Sequence, residues 1–291
     1  MRDVITERTK MKIAVLSGKG GTGKTMLSVN LAAVATPSTY VDCDVEEPNG
    51  YLFFKPEDVR PEIVSVLVPS ADPNICNGCK ECVRFCKFHA LAHSGEHLIV
   101  FEDVCHSCGG CSLICPLNAI TEHPRTVGVV ESGRSGEVTI HTGRMNVGEA
   151  AGLPIIRKLM KKISESGQER IFIDCPPGSS CTVMESIRDA EFCVLVSEPT
   201  IFGAHNLEMI VELVRTFDKP FGVILNKRLD GEKDPSEEYC HRNCLPILGK
   251  IPFDHELGIL NSEGKIASRE NGRFFQMFKD IYDHITECVS I

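Results

Sequence analysis

The chain has 291 residues, 42% of them apolar and 24% charged, and 31 Lys and Arg against 40 Asp and Glu leave a formal net charge of −9. That composition is globular and excludes disordered, collagen-like and low-complexity classes. An acidic chain without a basic tract argues against nucleic-acid binding, and no apolar run approaches the roughly 20 residues that cross a bilayer.

The 15 cysteines are out of proportion to the rest. Met1 to Lys10 is polar and charged, without the apolar stretch of a secretory signal. A cytoplasmic protein that uses its thiols for metal is therefore expected, rather than a disulfide scaffold. The first ten residues read as dispensable, because a strand pattern begins at Met11, and the native start is left open between Met1 and Met11.

In chain order, an apolar strand over 13–16 runs into Gly18-Lys19-Gly20-Gly21-Thr22-Gly23-Lys24-Thr25, which fits G-x-x-x-x-G-K-[ST] throughout. The glycines let backbone N–H groups curl around a polyphosphate, and the following helix, over 25–35, adds its positive N-terminus. Lys24 then reaches the β and γ phosphates, and the Thr25 hydroxyl ligates Mg²⁺. ATP and Mg²⁺ are the expected ligands. A second strand ends at Tyr40-Val41-Asp42.

From 71 to 125 the pattern breaks. Cys76-x2-Cys79-x2-Cys82-x3-Cys86 recurs as Cys105-x2-Cys108-x2-Cys111-x3-Cys115, and the tails Phe88-His89-Ala90-Leu91 and Leu117-Asn118-Ala119-Ile120 match as well. Each run has two-cluster ferredoxin spacing: three thiolates wrap one cubane and the fourth reaches the other. Cluster one takes Cys76, Cys79, Cys82 and Cys115, and cluster two takes Cys105, Cys108, Cys111 and Cys86. Zinc would call for pairs of C-x2-C instead. Pro116 follows Cys115 as that spacing expects, but Lys87 follows Cys86. The nearby His89, His93, His97 and His106 read as surface or packing residues, since the ligand set is complete without them.

Beyond the break, strands are expected over 171–174, 192–197, 222–226 and 247–251, and helices over 155–163, 182–188, 204–217 and 274–285. Continuous apolar strands alternating with helices predict an α/β fold with a doubly wound, mostly parallel sheet. Residues 11–70 and 126–291 would form it, and 71–125 an inserted small α+β module carrying two [4Fe–4S] clusters. Cys43, Cys175 and Cys193 read as buried, and packing is also the reading for Cys181. Cys240 and Cys244 are expected to share one helix face.

The loop with its extra Lys19 resembles the deviant phosphate loop of the MinD/Mrp-type ATPases, which include the nitrogenase iron protein. Asp42-Cys43-Asp44 resembles that family's first switch, Asp174-Cys175-Pro176-Pro177-Gly178 its second, and Asn226-Lys227 with Ile251-Pro252 its adenine-contacting segment. The resemblance implies a homodimer in which Lys19 reaches the partner's nucleotide. It also implies that Asp44 orients the attacking water, that Asp42 and Asp174 support the Mg²⁺ shell, and that Gly178 approaches the γ-phosphate. Asn226, Lys227 and Pro252 would line the base. The expected role is cluster or metallocofactor assembly, with a protein partner accepting clusters, metallocofactor or electrons. Nucleotide-gated electron transfer is the alternative, and a positioning switch with structural clusters is the weaker one. A membrane partner is not expected, because the C-terminal stripe Phe274, Phe278, Ile281 and Ile285 reads as core contact.

Overall fold

The computed structural model describes residues 11–95, 97–229 and 231–289, so the reading of residues 1–10 as dispensable lies outside the described residues. In chain order the elements are β1 (Met11–Leu16), α1 (Lys24–Val34), β2 (Ser38–Asp42), α2 (Gly50–Phe54), β3 (Glu57–Ala71), α3 (Glu81–Phe85), β4 (Leu91–Ser94), β5 (His97–Val100), α4 (Gly110–Ile114), β6 (Ile120–Ser135), β7 (Val138–Met145), α5 (Leu153–Glu165), β8 (Arg170–Asp174), α6 (Cys181–Ile187), β9 (Phe192–Ser197), α7 (Ile201–Thr216), β10 (Phe221–Arg228), α8 (Pro235–Arg242), β11 (Ile247–Pro252), α9 (His255–Ser262), α10 (Ala267–Glu270) and α11 (Gly272–Val289). Nine strands form one sheet in the order β11-β10-β9-β1-β8-β2-β7-β6-β3. From β11 to β7 every resolved pairing is parallel. This is the expected α/β sheet.

The chain divides into two compact units. The first runs to Glu62, takes in Val130–Arg144, and resumes at Ile156. Its strands are apolar on both faces for a physical reason. Ile13, Val15, Tyr40, Phe172 and Val194 pack in one core cluster with residues of α1 and α11. The intervening Ala14, Leu16, Val41, Ile173 and Leu195 point to the other face and are also buried. Helix α6 lies against β1 and α7 against β9. Along α11, Phe274, Phe278, Ile281 and Ile285 are buried, so its apolar stripe is spent on the core as expected. No helix among the described residues is long and apolar enough to cross a membrane.

The second unit is Ile63–Val129 with Met145–Ile155, wider than the 71–125 expected from the cysteine pattern. The Arg125 guanidinium donates to both Glu149 oxygens at 2.6 and 2.8 Å, and Asn146 bonds to Thr126 and Val127, which ties the 145–155 segment to its own unit. Within the unit, β4 and β5 form an antiparallel hairpin. A small core of Leu91, Cys111 and Ile120 packs with Val83, Leu98 and Val100. The sequence repeat is also a backbone repeat. Gly78 and Ser107, Lys80 and Gly109, and His89 and Asn118 occupy matched places, and all six have positive φ. Short helices α3 and α4 each end at the last cysteine of a run, Cys86 and Cys115, in extended conformation.

Candidate functional site

The nucleotide-type site is built at the C-terminal ends of β1, β8, β2 and β10, where open α/β sheets place their ligands. Residues 17–23 link β1 to α1. Gly18 abuts α7 so closely that a Cβ would lie 2.4 Å from the Asn206 carbonyl oxygen. Gly23 sits at φ +94°, and a Cβ there would meet Asn226 Nδ2 at 2.1 Å. Gly23 also occupies the N-cap of α1, with no side chain capping the helix. The first-turn N–H groups of α1 thus remain available to an anion. The Thr22 hydroxyl is buried without a protein partner.

Lys24 opens α1, and its ammonium donates to Asp174 Oδ1 at 2.6 Å. Burial works against that charge, but Asp174, Asp42 and Asp44 outweigh it and the net shift of the Lys24 pKa is upward. Tyr40 donates its hydroxyl to Asp174 Oδ2 at 2.9 Å. Burial, with Asp174 and Asp42 adding, pushes that phenol well above its usual range. Asp42 pairs in register with Asp174 across β2 and β8. Asp42 accepts from the backbone N–H groups of Asp44, Asn49 and Gly50 and so shapes the whole 43–50 turn. Burial, then the Asp174 charge, raises its pKa to about 7, and burial raises Asp44 to about 6 against the pull of Lys24. The charges of Asp174, Asp42 and Asp44 thus all act on the single ammonium of Lys24. The Thr25 side chain is partly exposed at the same helix end.

The 174–178 segment, expected as a second switch, touches the loop directly. Gly178, at φ +90°, donates its N–H to the Ser17 carbonyl at 2.9 Å. Asn226 is buried and donates to the Thr22 carbonyl at 2.6 Å, while Lys227 donates to the Gly21 carbonyl at 2.6 Å. Both therefore brace the phosphate loop as well as lying at the strand end expected for a base. Pro252 pairs with Arg228 at the end of the next strand, beside the exposed Phe253. The sequence reading missed two residues here, Tyr40 and Glu198. Glu198 forms an ion pair with Lys19 and lies 3.7 Å from Lys227. Burial opposes its charge, but the Lys19 hydrogen bond and both lysine charges hold its pKa below the usual value. Neither residue belongs to a motif; Glu198 directly follows β9, and Tyr40 is the middle residue of β2.

In the second unit the eight cysteines of the repeat fall into two sets. Cys76, Cys79, Cys82 and Cys115 line one cavity with His93 and Leu98. Cys86, Cys105, Cys108 and Cys111 line another, of about 320 Å³, with Phe85 and Phe88. Phe88 stacks on His106 at 3.7 Å between ring centroids. Lys87, the departure from the spacing, also lines this second cavity. Four thiols around each cavity are the donor set of a [4Fe–4S] cubane. Among the described residues no three His, Cys, Asp or Glu are drawn together as a single ion requires. A lone zinc ion would gather thiolates at bonds of about 2.3 Å.

The other cysteines divide. Cys43, Cys175 and Cys193 are buried, and burial pushes their thiols up, Cys193 to about 12. Cys181 is exposed at the first residue of α6. The expected shared face of Cys240 and Cys244 is corrected: α8 stops at Arg242, Cys240 is buried, and Cys244 is exposed beyond the helix at φ +50°.

A family model, the CobQ/CobB/MinD/ParA nucleotide-binding domain, matches residues 13–267. An uncharacterised protein of Methanocaldococcus jannaschii is 30% identical over 288 residues, covering 96% of this chain and 97% of the relative. An uncharacterised ferredoxin of the same organism is 38% identical over 50 residues, 16% of this chain and 30% of the relative. Among solved structures, the septum site-determining protein MinD of Pyrococcus horikoshii, complexed with Mg-ADP, aligns with a TM-score of 0.57 at 19% identity, covering 94% of this chain and 95% of that one.

Proposed function

Because the chain belongs to the CobQ/CobB/MinD/ParA nucleotide-binding family, we propose that it is a homodimeric, Mg²⁺-dependent ATPase whose nucleotide state is coupled to two [4Fe–4S] clusters, acting in iron–sulfur cluster or metallocofactor assembly. The observation that carries the iron–sulfur half is the sorting of eight cysteines into two four-thiol cavities, each completed by the last cysteine of the opposite run. The ferredoxin match and the Mg-ADP bound to the Pyrococcus MinD point the same way.

The chain's own residues perform the nucleotide steps. Arriving phosphates draw Lys24 away from Asp174, so one charge-assisted contact is exchanged for another. Thr25, Asp42 and Asp174 would hold a bound Mg²⁺ with its water, and the cation would offset charge on the phosphates. Asp44 orients the attacking water, and the N–H groups from Gly20 to Thr25 cradle the phosphates. Lys19 leaves Glu198 to meet the partner's nucleotide. Ile201 and Phe202, both more than three-quarters exposed beside Glu198, offer apolar surface to a second copy. Bound clusters would supply one-electron redox capacity, held by Cys76, Cys79, Cys82 and Cys115 and by Cys105, Cys108, Cys111 and Cys86.

A second reading, a nucleotide-gated electron carrier, is favoured by one observation. All eight thiols come from a single chain, which suits retained clusters. Mixing the iron-loaded protein with an apo-acceptor protein and ATP separates the two. Iron moving to the acceptor supports assembly. Electrons moving while iron stays supports the carrier.

A further inference from the structure

The two cysteine sets are equivalent by sequence, but the groups placed against them are not. The internal repeat aligns Leu91-Ala92-His93 with Ile120-Thr121-Glu122, continuing the matched tails. His93 lines the cavity of Cys76, Cys79, Cys82 and Cys115, and its repeat mate Glu122 lines the cavity of Cys86, Cys105, Cys108 and Cys111. A possible hydrogen-bond donor and a carboxylate thus hold corresponding positions on the two halves of one unit.

The His93 ring is held for a purpose that the protein alone does not supply. Both ring nitrogens are buried and have no hydrogen-bond partner. Buried polar groups are almost always paired, so a partner is expected for the ring. The ring packs on the loop between two of the thiols. A Cβ on Gly78, between Cys76 and Cys79, would lie 3.0 Å from His93 Cε1, and Gly78 itself sits at φ +70°. The corresponding loop position in the other half is Ser107, and Glu122 Oε1 would lie 3.8 Å from a Cβ on Gly109. The second cavity is lined by Phe85, Phe88 and His106 and by the charged pair Lys87 and Glu122.

Resting on the cluster reading above, we propose that His93 sets the two clusters at different reduction potentials by raising the one held by Cys76, Cys79, Cys82 and Cys115. The unpaired ring N–H of His93 would donate to a sulfur of the cluster bound there. A donor to sulfur stabilises the more negative, reduced state and makes reduction easier. Its repeat mate Glu122 is exposed, shares its cavity with Lys87 and supplies no such donor. Each cubane takes up one electron with no bond made or broken. The first electron supplied by an outside one-electron reductant therefore settles on the His93 side. His93 is a positioning residue, and the thiolates remain the ligands.

The test is a dithionite titration followed by electron paramagnetic resonance on the iron-loaded full chain. Iron is counted in every variant. Wild type is expected to show two separate midpoints and about eight irons per chain. His93→Leu lowers the higher midpoint alone. His93→Gln, which keeps an N–H donor, restores most of the difference. Both variants keep the wild-type iron content. The proposal is overturned if His93→Leu leaves both midpoints in place or moves both together. Iron-free wild-type protein would instead refute the cluster reading itself, and the ordering with it. Wild-type iron content with immobile midpoints refutes the ordering alone.

Discussion

Lys24 and Asp174 are the residue pair on which the nucleotide site turns. Both are buried, and each has its charge met by the other. Removing one partner of such a pair costs about 3–5 kcal/mol, because the remaining charge stays buried alone. Lys24→Ala is expected to destabilise the nucleotide-free protein by that amount in urea unfolding, and adding Asp174→Asn to recover much of it. A single-variant loss under about 1 kcal/mol would contradict the assigned geometry. The neighbouring carboxylates give a pH signature. Asp42, near 7, and Asp44, near 6, lie above the ordinary aspartate value of about 4. A carboxylate whose pKa rises on folding stabilises the fold fully below its unfolded value, and that contribution fades as pH climbs through the folded one. These two groups therefore make the nucleotide-free protein lose stability between about pH 4 and pH 7. The proposed Mg²⁺ shell needs Asp42 ionised, so Mg²⁺-dependent nucleotide affinity is expected to strengthen over the upper part of the same window. Isothermal titration at several pH values reads this, and an affinity flat from about pH 5.5 to pH 8 would speak against Asp42 in that shell.

At the scale of elements, the strands that carry the site were legible and those at the far end of the sheet were not. β1, β8, β9 and β10 carry short apolar runs buried on both faces, the pattern of a parallel sheet, and β11 at the sheet edge is buried only at Leu248 and Ile251. β3 and β6 are long, with exposed charged residues such as Glu57, Arg60 and Glu122, so no apolar strand pattern marks them. β7 has the partly polar sequence Val138-Thr139-Ile140-His141, which hides its place beside β2. The phosphate loop and the cysteine sets were legible because fixed spacing encodes them. Glu198, Tyr40 and His93 act as single residues brought in by the fold, and no spacing announces them. Helix α11 shows pattern and packing agreeing. Phe278 is fully buried in the main core. Phe278→Ala is expected to cost about 3–5 kcal/mol in denaturant unfolding. A change near zero would mean that the apolar stripe serves a surface instead.

For the whole molecule, the crossed thiol sets make a prediction that sequence neighbours do not. Cys86→Ala is expected to disturb the cluster of Cys105, Cys108 and Cys111 and spare that of Cys76, Cys79 and Cys82. Selective loss of one spectroscopic signal, assigned with Cys108→Ala as reference, checks it; matching losses in Cys86→Ala and Cys79→Ala would overturn the assignment. The larger claim is coupling. The chain leaves the nucleotide-binding unit after the Asp44 turn and returns to it before Asp174, so the cysteine-bearing unit is tethered between the two segments proposed to meet the γ-phosphate and Mg²⁺. Such segments rearrange when that phosphate is bound or lost. Coupling between two sites is reciprocal, so cluster reduction must shift nucleotide affinity by the same free energy by which nucleotide shifts the clusters. The deciding measurement is the affinity of the iron-loaded protein for a non-hydrolysable ATP analogue in its oxidised and dithionite-reduced states. A difference of about fivefold or more, matched by a shift in cluster midpoint on adding the analogue, is the expected result. Equal affinities and an unmoved midpoint would mean that the two units are merely joined, and the coupled-ATPase account would be wrong.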